Sequence, residues 1–280
     1  MTEGRTTEAL DLQEVERTAV ELATLAGAEI QAALGGLLTV RYKGESPEKT
    51  LWRDPVSEVD QRVEALIRAR VAERFPEHDV IGEEIVERLS RPHDCVWTVD
   101  PIDGTTNFVN GFPMFAASIG VLQRGRPVVG AVWCSTGHAL RPGVYHASAG
   151  GKFRFENSDV TPKLNPAVRR RLAGASTVAV RDKNWETRKT GSAAIECAFV
   201  AAGMLRVARF ESPNIWDVAG GIALVEAAGG AVRQWRAGKW ESMSGFAPEQ
   251  PSLGGRADLR YWRHPIIVGA PEAVEYMCAD

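Results

Sequence analysis

Apolar residues recur at intervals of three or four positions in two long stretches near the start of the chain. This spacing places them on one face of a helix. The first predicted helix covers residues 10–34 and ends at Gly35-Gly36. The second begins near Pro55 and ends at Pro76, because proline cannot continue a helix. The apolar faces of the two helices are formed by Leu12, Val15, Ala19, Leu22, Ala26, Ile30 and Leu34, and by Val59, Val63, Leu66, Ile67 and Val71.

Short apolar segments, several of them alternating with polar residues, predict strands along the rest of the chain. Residues 116–123 and 127–133 flank Arg124-Gly125-Arg126, which predicts a hairpin. Other strands are predicted at 37–42, 79–82, 95–99, 143–147, 176–180, 204–210, 231–235 and 266–269, and helices at 192–202, at 218–228 and from Pro271 onward. Because strands and helices interleave throughout, the pattern predicts a mixed α/β (α+β) fold in layers.

Composition excludes several function classes. The net charge is −3 and 25% of the 280 residues are charged, so nothing favours binding to nucleic acid or to an anionic membrane. The four cysteines are far apart in the sequence, which argues against a zinc cage or a disulfide framework. The first residues lack the apolar segment of a signal peptide, and the most apolar run, 198–205, is too short to cross a bilayer. We therefore expect a cytoplasmic protein.

The strongest chemical signal is the stretch WTVDPIDGTTNF at residues 97–108. Pro101 lacks an N–H group, so the chain is expected to leave the sheet there and to present Asp100 and Asp103 from a tight turn. Two carboxylates this close repel each other unless a divalent cation lies between them. Gly104 and Thr105 follow at a predicted helix start, where free N–H groups bind phosphate. The stretch suits metal-assisted phosphoester hydrolysis, and the alternative is an Asp-capped turn.

Three further acids stand next to the ends of predicted elements. Glu83 follows the strand at 79–82, Asp60 lies in the first turns of the second helix, and Asp217 lies at the start of another helix. Each could be a helix cap or a solvated acid when taken alone. Together with Asp100 and Asp103, they form a set that can converge on two or three metal ions.

At these residues the sequence resembles the inositol monophosphatase family, which belongs to the lithium-sensitive, magnesium-dependent phosphatases. The resemblance spans roughly residues 13–230. It is carried by Gly-Glu-Glu at 82–84, by Asp-Pro-Ile-Asp-Gly-Thr-Thr-Asn-Phe at 100–108 and by Trp-Asp-Val-Ala-Gly at 216–220. The two longer motifs are specific, whereas Gly-Glu-Glu alone is a weak signal.

The resemblance implies a role for each matching residue. Implied metal ligands are Glu83, Asp100, the backbone carbonyl of Ile102, Asp103, Asp217 and Asp60, for two to three Mg²⁺ ions. Glu83 and Thr105 would orient and deprotonate the attacking water, and Asp60 would support them. Implied phosphate and substrate contacts are Gly104, Thr105, Gly191, Ser192, Ala193, Glu211 and Lys43.

The family also implies an α-β-α-β-α sandwich, a homodimer and a small phosphate monoester as substrate. We expect one domain over 1–280, with sub-halves 1–150 for metal and phosphate and 151–280 for the substrate side. Inositol monophosphate or a related sugar phosphate is the expected substrate. Fructose-1,6-bisphosphatase, histidinol-phosphatase and 3'(2'),5'-bisphosphate nucleotidase activities are the alternatives. A non-catalytic binding protein on the same scaffold is a further alternative.

The sequence departs from the family on the side of the substrate alcohol. Arg206 stands where the family usually has an acid. Glu211 matches the family's substrate-binding glutamate only with a slip of one residue. Residues 136–172 also differ from the usual family loops. Arg206 would contact either a second phosphate or a surface acid, and the second is favoured because most arginines are exposed.

Overall fold

A computed structural model describes residues 10–36, 39–42, 55–86, 94–169, 171–175, 185–250 and 257–279. Lys43, the loop at 43–54 and the strand predicted at 176–180 lie outside these ranges. In chain order the helices are α1 (Leu12–Ala33), α2 (Glu58–Arg74), α3 (Thr105–Val109), α4 (Ala193–Ala201), α5 (Ile215–Ala227) and α6 (Pro271–Cys278). None of these helices combines the length and the apolarity that crossing a bilayer requires.

The strands form one two-stranded ribbon and two larger sheets among the described residues. In chain order they are β1 (Val40–Tyr42), β2 (Pro55–Ser57), β3 (Asp79–Gly82), β4 (Cys95–Asp103), β5 (Ala116–Gln123), β6 (Arg126–Cys134), β7 (Gly143–Ser148), β8 (Arg154–Phe155), β9 (Ser158–Asp159), β10 (Arg171–Ala175), β11 (Trp185–Arg188), β12 (Val207–Phe210), β13 (Ala231–Arg236), β14 (Lys239–Ser242) and β15 (Ile266–Gly269).

Both large sheets are mixed. The seven-stranded sheet runs from β3 to β9 in chain order, with a parallel β3–β4 pair and antiparallel pairs elsewhere. The six-stranded sheet has the order β11-β10-β12-β15-β13-β14, and only its β11-β10-β12 part is parallel. The predicted hairpin at 116–133 is confirmed as β5 and β6.

Apolar faces arrange these elements in five layers. Helices α1 and α2 bury their predicted stripes against one face of the seven-stranded sheet, except for Leu34, which follows α1 and is exposed. Helices α4 and α5 lie between the two sheets, and α6 covers the outer face of the six-stranded sheet. The predicted α-β-α-β-α sandwich is confirmed.

Several predicted boundaries are wrong. Helix α5 begins at Ile215 rather than at 218, because Asn214 and Asp217 form a capping box there. Residues 55–57 form strand β2 rather than the first turn of α2, because Ser57 and Asp60 cap the helix at Glu58. The chain does not leave the sheet at Pro101, because β4 continues to Asp103. Strand β12 begins at Val207 rather than at 204, because the residues after Gly203 close the end of α4. The short strands β8, β9, β11 and β14 were not predicted, since strands of two to four residues carry almost no pattern. Strand β10 was not predicted either, since the strand expected in this region was 176–180.

Helix α5 lies unusually close to the seven-stranded sheet because glycines face each other there. A Cβ atom on Gly130 would lie 2.1 Å from the carbonyl oxygen of Gly220, and one on Gly120 would lie 2.6 Å from the amide nitrogen of Gly220. Only hydrogen fits in these positions. The close approach brings the start of α5, with Asp217, towards the strands that carry the other acids.

A buried polar group joins α1 to β7. Glu16 accepts hydrogen bonds from Ser148 Oγ and, over 2.7 Å, from His146 Nδ1, while His146 Nε2 lies 2.8 Å from the carbonyl oxygen of Glu156. Burial alone would raise the pKa of Glu16, but the hydrogen bonds from His146 and Ser148 outweigh it and the pKa is lowered.

Candidate active site

A bulge in β4 sets the positions of Asp100 and Asp103. Asp100 pairs with Ser118 and Asp103 with Ala116, so β4 has one more residue than β5 over this interval. The extra residue lets Pro101 remain in the sheet, because a bulge leaves a backbone group unpaired. Both aspartates are almost fully buried, at 2% and 9% exposure. They lie side by side at the end of a core strand.

Asp60 and Asp217 each belong to a helix N-terminus. Asp60 Oδ2 accepts a hydrogen bond of 2.8 Å from the Ser57 amide, and Asp217 Oδ2 accepts one of 2.8 Å from the Asn214 amide. The capping alternative is therefore correct for one oxygen of Asp60 and for Asp217, whose second oxygen also lies 3.3 Å from Asn214 Nδ2. The other oxygen of Asp60 lies 3.4 Å from the hydroxyl of Thr105, towards β4.

The five acids form one electrostatic cluster. Burial raises the pKa of Asp60 to about 6, of Asp103 to about 6, of Asp217 to about 8 and of Asp100 well above its ordinary range. The negative charge of Glu83 contributes to the rise at all four. At Asp100 the charges of Asp103 and Asp217 add to the effects of burial and of Glu83 on the pKa. Acids that disturb one another in this way are typical of functional sites.

The ligand atoms that this cluster offers are of the kind that a hard divalent cation prefers. They are carboxylate oxygens together with the carbonyl oxygen of Ile102. Asp100 Oδ1 is buried without a hydrogen-bond partner among the described residues, which is a costly state for an isolated oxygen. In the described ranges no three Asp, Glu, His or Cys side chains already converge on one point as ligands. The fit to a cation therefore rests on the chemistry of the donors and on the unpartnered Asp100 oxygen.

Thr105 connects the bulge to Asp60. Its hydroxyl donates a hydrogen bond of 2.8 Å to the carbonyl of Ile102 and lies 3.4 Å from Asp60 Oδ1. Gly104 precedes it with φ of +90°, a left-handed conformation that favours glycine. This turn ends β4 and starts α3 at Thr105, as the sequence predicts.

The predicted substrate-side residues meet the acids here. Ser192 caps α4, and its hydroxyl donates a hydrogen bond of 2.7 Å to Asp103 Oδ2, which also accepts from the Ala194 amide. A Cβ atom on Gly104 would lie 3.3 Å from the carbonyl oxygen of Gly191. The structure thus places Gly191, Ser192 and Ala193 against the β4 turn.

Glu211 and Arg206, both discussed above for the substrate side, each form an ion pair with another residue. Glu211 pairs with Arg209 over 2.7 Å just after β12. Arg206 pairs with Glu272 at the start of α6, which is the surface-acid alternative. Arg206 also lines a cavity of about 260 Å³ between the ends of α4 and α5 and the start of α6. The lining of this cavity includes none of the five acids.

The sequence interpretation missed several residues that hold the site together. Asn107 Nδ2 donates hydrogen bonds to the carbonyls of Met114, at 2.6 Å, and Thr190, at 2.8 Å, and so joins α3 to the segment before α4. Glu64 and Arg68 lie beneath the Glu83 loop. Their signal was present in α2, where Asp60, Glu64 and Arg68 follow one another at intervals of four, the spacing of one helix face.

Comparisons with known proteins show the family and the fold of the chain. The model of the inositol monophosphatase family matches residues 11–261. The chloroplastic phosphatase IMPL1 of Arabidopsis thaliana is 33% identical over 239 residues, which are 79% of this chain and 62% of that protein, so the chain spans less than two thirds of that relative. Inositol monophosphatase 1 of Sus scrofa is 32% identical over 262 residues, which are 87% of this chain and 92% of that protein. The structure of an IMPase from Thermotoga maritima superposes with a TM-score of 0.72 over 95% of this chain and 96% of that one, at 22% identity, which shows a shared fold.

Proposed function

The chain belongs to the inositol monophosphatase family of phosphatases, and on this basis we propose that it hydrolyses a small phosphate monoester with the help of Mg²⁺. The observation that carries this proposal is the cluster of Glu83 with four aspartates, three of which are buried and one of which has an unpartnered oxygen. So much buried negative charge is destabilising unless a cation offsets it. Two to three Mg²⁺ ions fit the number and the kind of donors.

The implied ligands are Glu83, Asp100, the Ile102 carbonyl, Asp103, Asp217 and Asp60. When bound, Mg²⁺ neutralises phosphate charge and makes the attacking water more acidic. Glu83 and the Thr105 hydroxyl are proposed to hold that water and to accept its proton. The position of Thr105 between Ile102 and Asp60 supports this role.

The backbone N–H groups of Gly104 and Thr105 are proposed to bind the phosphate. Gly191, Ser192 and Ala193, which lie against the same turn, are proposed to contact the substrate alcohol. Lys43 and Glu211 remain proposals without structural support, because Lys43 lies outside the described residues and Glu211 pairs with Arg209.

Inositol monophosphate is our first candidate substrate, since the Sus scrofa relative is named for that activity. The bisphosphatase, histidinol-phosphatase and bisphosphate nucleotidase alternatives share the metal chemistry and differ on the alcohol side. If the chain were a non-catalytic binding protein on this scaffold, at least one implied metal ligand should be missing. All five acids are present in the sequence. We also propose a homodimer and a single structural unit. The apolar core that α4 and α5 form with both large sheets supports the single unit.

The test is phosphate release with and without Mg²⁺ from inositol 1-phosphate, fructose 1,6-bisphosphate, histidinol phosphate and 3'-phosphoadenosine 5'-phosphate. We expect turnover that needs Mg²⁺ and falls by about 100-fold or more in Asp103→Asn, since even residues behind a metal ligand cost 10–100-fold. Asp94→Asn, an exposed acid outside the cluster, should retain activity. If Asp103→Asn turns over substrate like Asp94→Asn, the site assignment is wrong.

A further inference from the structure

The loop that carries Glu83 is fixed by buried charges that belong to none of the implied ligands. Glu83 follows β3, and its own amide donates a hydrogen bond of 3.2 Å to the carbonyl of Val99 in β4. The next two residues, Glu84 and Ile85, leave the sheet. Their amides therefore need hydrogen-bond acceptors outside the strand ladder, as buried backbone groups generally do.

Glu64 supplies these acceptors from α2. Its side chain is completely buried, its Oε2 accepts a hydrogen bond of 2.7 Å from the Glu84 amide, and its Oε1 accepts one of 3.1 Å from the Ile85 amide. Charge-assisted hydrogen bonds from a carboxylate to backbone amides are about twice as strong as neutral ones. Glu64 therefore fixes the chain immediately after Glu83.

Arg68 completes the support from the same helix. Its Nε donates a hydrogen bond of 2.8 Å to Glu64 Oε1, which offsets the buried charge of Glu64. Its two terminal nitrogens donate to the carbonyls of Val80, at 3.2 Å, and Ile85, at 2.9 Å. One guanidinium thus contacts the chain on both sides of Glu83.

Arg260 approaches the same loop from a distant part of the chain. It lies in a short 3-10 turn, Leu259–Tyr261, and donates hydrogen bonds to the carbonyls of Gly82, at 2.8 Å, and Ile85, at 3.3 Å. Its guanidinium also lies 5.5 Å from the ring centre of Trp216, the residue before Asp217. Arg260 therefore links the Glu83 loop to the start of α5, which carries another acid of the cluster.

Gly82 explains why the loop can approach Glu64 so closely. A Cβ atom at Gly82 would lie 2.0 Å from Glu64 Oε1 and 2.2 Å from Glu64 Cδ. Both distances are shorter than any contact that non-bonded heavy atoms can make, so a side chain at this position would displace the Glu64 carboxylate. The glycine next to Glu83 is thus required by the buried acid behind it.

We propose that Glu64, Arg68 and Arg260, here called the clamp, are positioning residues that hold Glu83 in place for metal binding and for catalysis. This inference rests on the proposed function. The clamp contacts the backbone on either side of Glu83, so it acts on the position of the Glu83 carboxylate. Residues that orient a ligand from behind typically contribute 10–100-fold in metal affinity or in activity.

The first test uses two substitutions that keep the positive charge. Arg260→Lys retains a cation near the acids but cannot donate to two carbonyls in the geometry of a guanidinium. Arg263→Lys is the matched control, because Arg263 lies over the same Trp216 ring at 5.6 Å and, within the described ranges, its side chain donates to the carbonyls of Arg260 and Trp262 rather than to the Glu83 loop. Mg²⁺ alone is titrated into each metal-free protein by calorimetry, and kcat and KM are measured separately.

We expect Arg260→Lys to bind Mg²⁺ at least about tenfold more weakly than Arg263→Lys and to lose kcat by a similar factor. KM should change by less than about threefold, because the hydrogen bonds described above join the clamp to the chain around Glu83 and not to the proposed substrate contacts. Equal Mg²⁺ affinities and equal kcat values in the two variants would overturn the proposal.

The second test is independent of turnover. In Glu64→Gln the side chain has a single acceptor oxygen and cannot receive both amides and Arg68 as the carboxylate does. Hydrogen exchange of the Glu84 and Ile85 amides in the metal-free protein should accelerate at least about tenfold, while Glu73→Gln, an exposed change on the same helix, leaves it unchanged. Unchanged exchange in Glu64→Gln would contradict the clamp.

The two tests separate the clamp from the proposed function. If the parent protein releases no phosphate from any substrate, the proposed function fails, while hydrogen exchange still reports on the clamp. If the parent is an Mg²⁺-dependent phosphatase and Arg260→Lys behaves like its control, the clamp fails and the proposed function stands.

Discussion

Replacing Asp103 by asparagine should stabilise the metal-free protein although it removes a proposed metal ligand. Asp103 Oδ2 accepts hydrogen bonds from Ser192 and from the Ala194 amide. The carbonyl oxygen of asparagine has two lone pairs and can accept both. The substitution therefore removes the negative charge and leaves the local hydrogen bonds in place.

The magnitude follows from the pKa of Asp103. Burial raises this pKa from 3.8 to about 6, and the hydrogen bonds from Ser192 and Ala194 lower it only in part. A carboxyl whose pKa is raised by folding destabilises the folded state as pH rises through that interval, and the cost is constant at higher pH. Each pKa unit corresponds to 1.36 kcal/mol, so at pH 8 the cost is about 3 kcal/mol. Near pH 4 the cost is close to zero.

The assay is urea unfolding in EDTA at pH 8 and at pH 4, with Asp94→Asn as the matched control. Asp94 is exposed and pairs with Arg124 over 3.1 Å, so its loss should cost less than about 1 kcal/mol at either pH. Asp103→Asn should exceed the parent by about 3 kcal/mol at pH 8 only. Mg²⁺ at about 100 times its dissociation constant should add about 2.7 kcal/mol to the parent and much less to the variant. A variant no more stable than the parent at pH 8 in EDTA would refute the reasoning.

Three further substitutions test other parts of the molecule. Glu16→Gln should reduce the free energy of unfolding by about 2 kcal/mol at pH 7. Because pairing with His146 lowers the pKa of Glu16, urea unfolding should show this deficit shrinking as pH falls below 4.5. Gly130→Ala should cost about 1–3 kcal/mol in the same assay by pushing α5 off the sheet, whereas Gly36→Ala, in a surface turn, should cost little. Arg206→Ala should leave Mg²⁺-dependent turnover unchanged within about twofold and cost less than about 1 kcal/mol, since its partner is a surface acid.

Local chemistry made several elements predictable. Helix α1 was located to within two residues at each end, because its apolar stripe is continuous and Asp11 caps it by accepting from the amides of Gln13 and Glu14. The hairpin of β5 and β6 was predictable because alternation marks both strands and Arg124 and Gly125 both adopt positive φ between them.

The prediction that the chain leaves the sheet at Pro101 is wrong, because whether a proline ends a strand depends on how that strand pairs with its neighbour. Taken alone, a residue without an N–H group ends a strand. In the fold, β4 has one more residue than β5 between Asp100 and Asp103, so the ladder does not need the missing donor. The register of two strands is a tertiary property, and no local pattern reveals it.

The sequence by itself determined which residues could carry the chemistry. It marks Glu83, Asp60, Asp217 and the two acids of the 100–108 motif as candidates, because carboxylates beside proline, glycine and helix starts are typical of sites that bind cations and phosphate. The two long helices and the layered α/β fold class could also be predicted from the sequence, since the 3.6-residue period of apolar residues is a property of the chain.

Only the tertiary structure decided which charges are buried together. Glu64 is buried because amides 20 and 21 residues further along the chain hydrogen-bond to its carboxylate. Arg260 contacts Gly82 across 178 residues. A charge enters the interior only where distant groups hydrogen-bond to it, and those groups come together only when the chain folds.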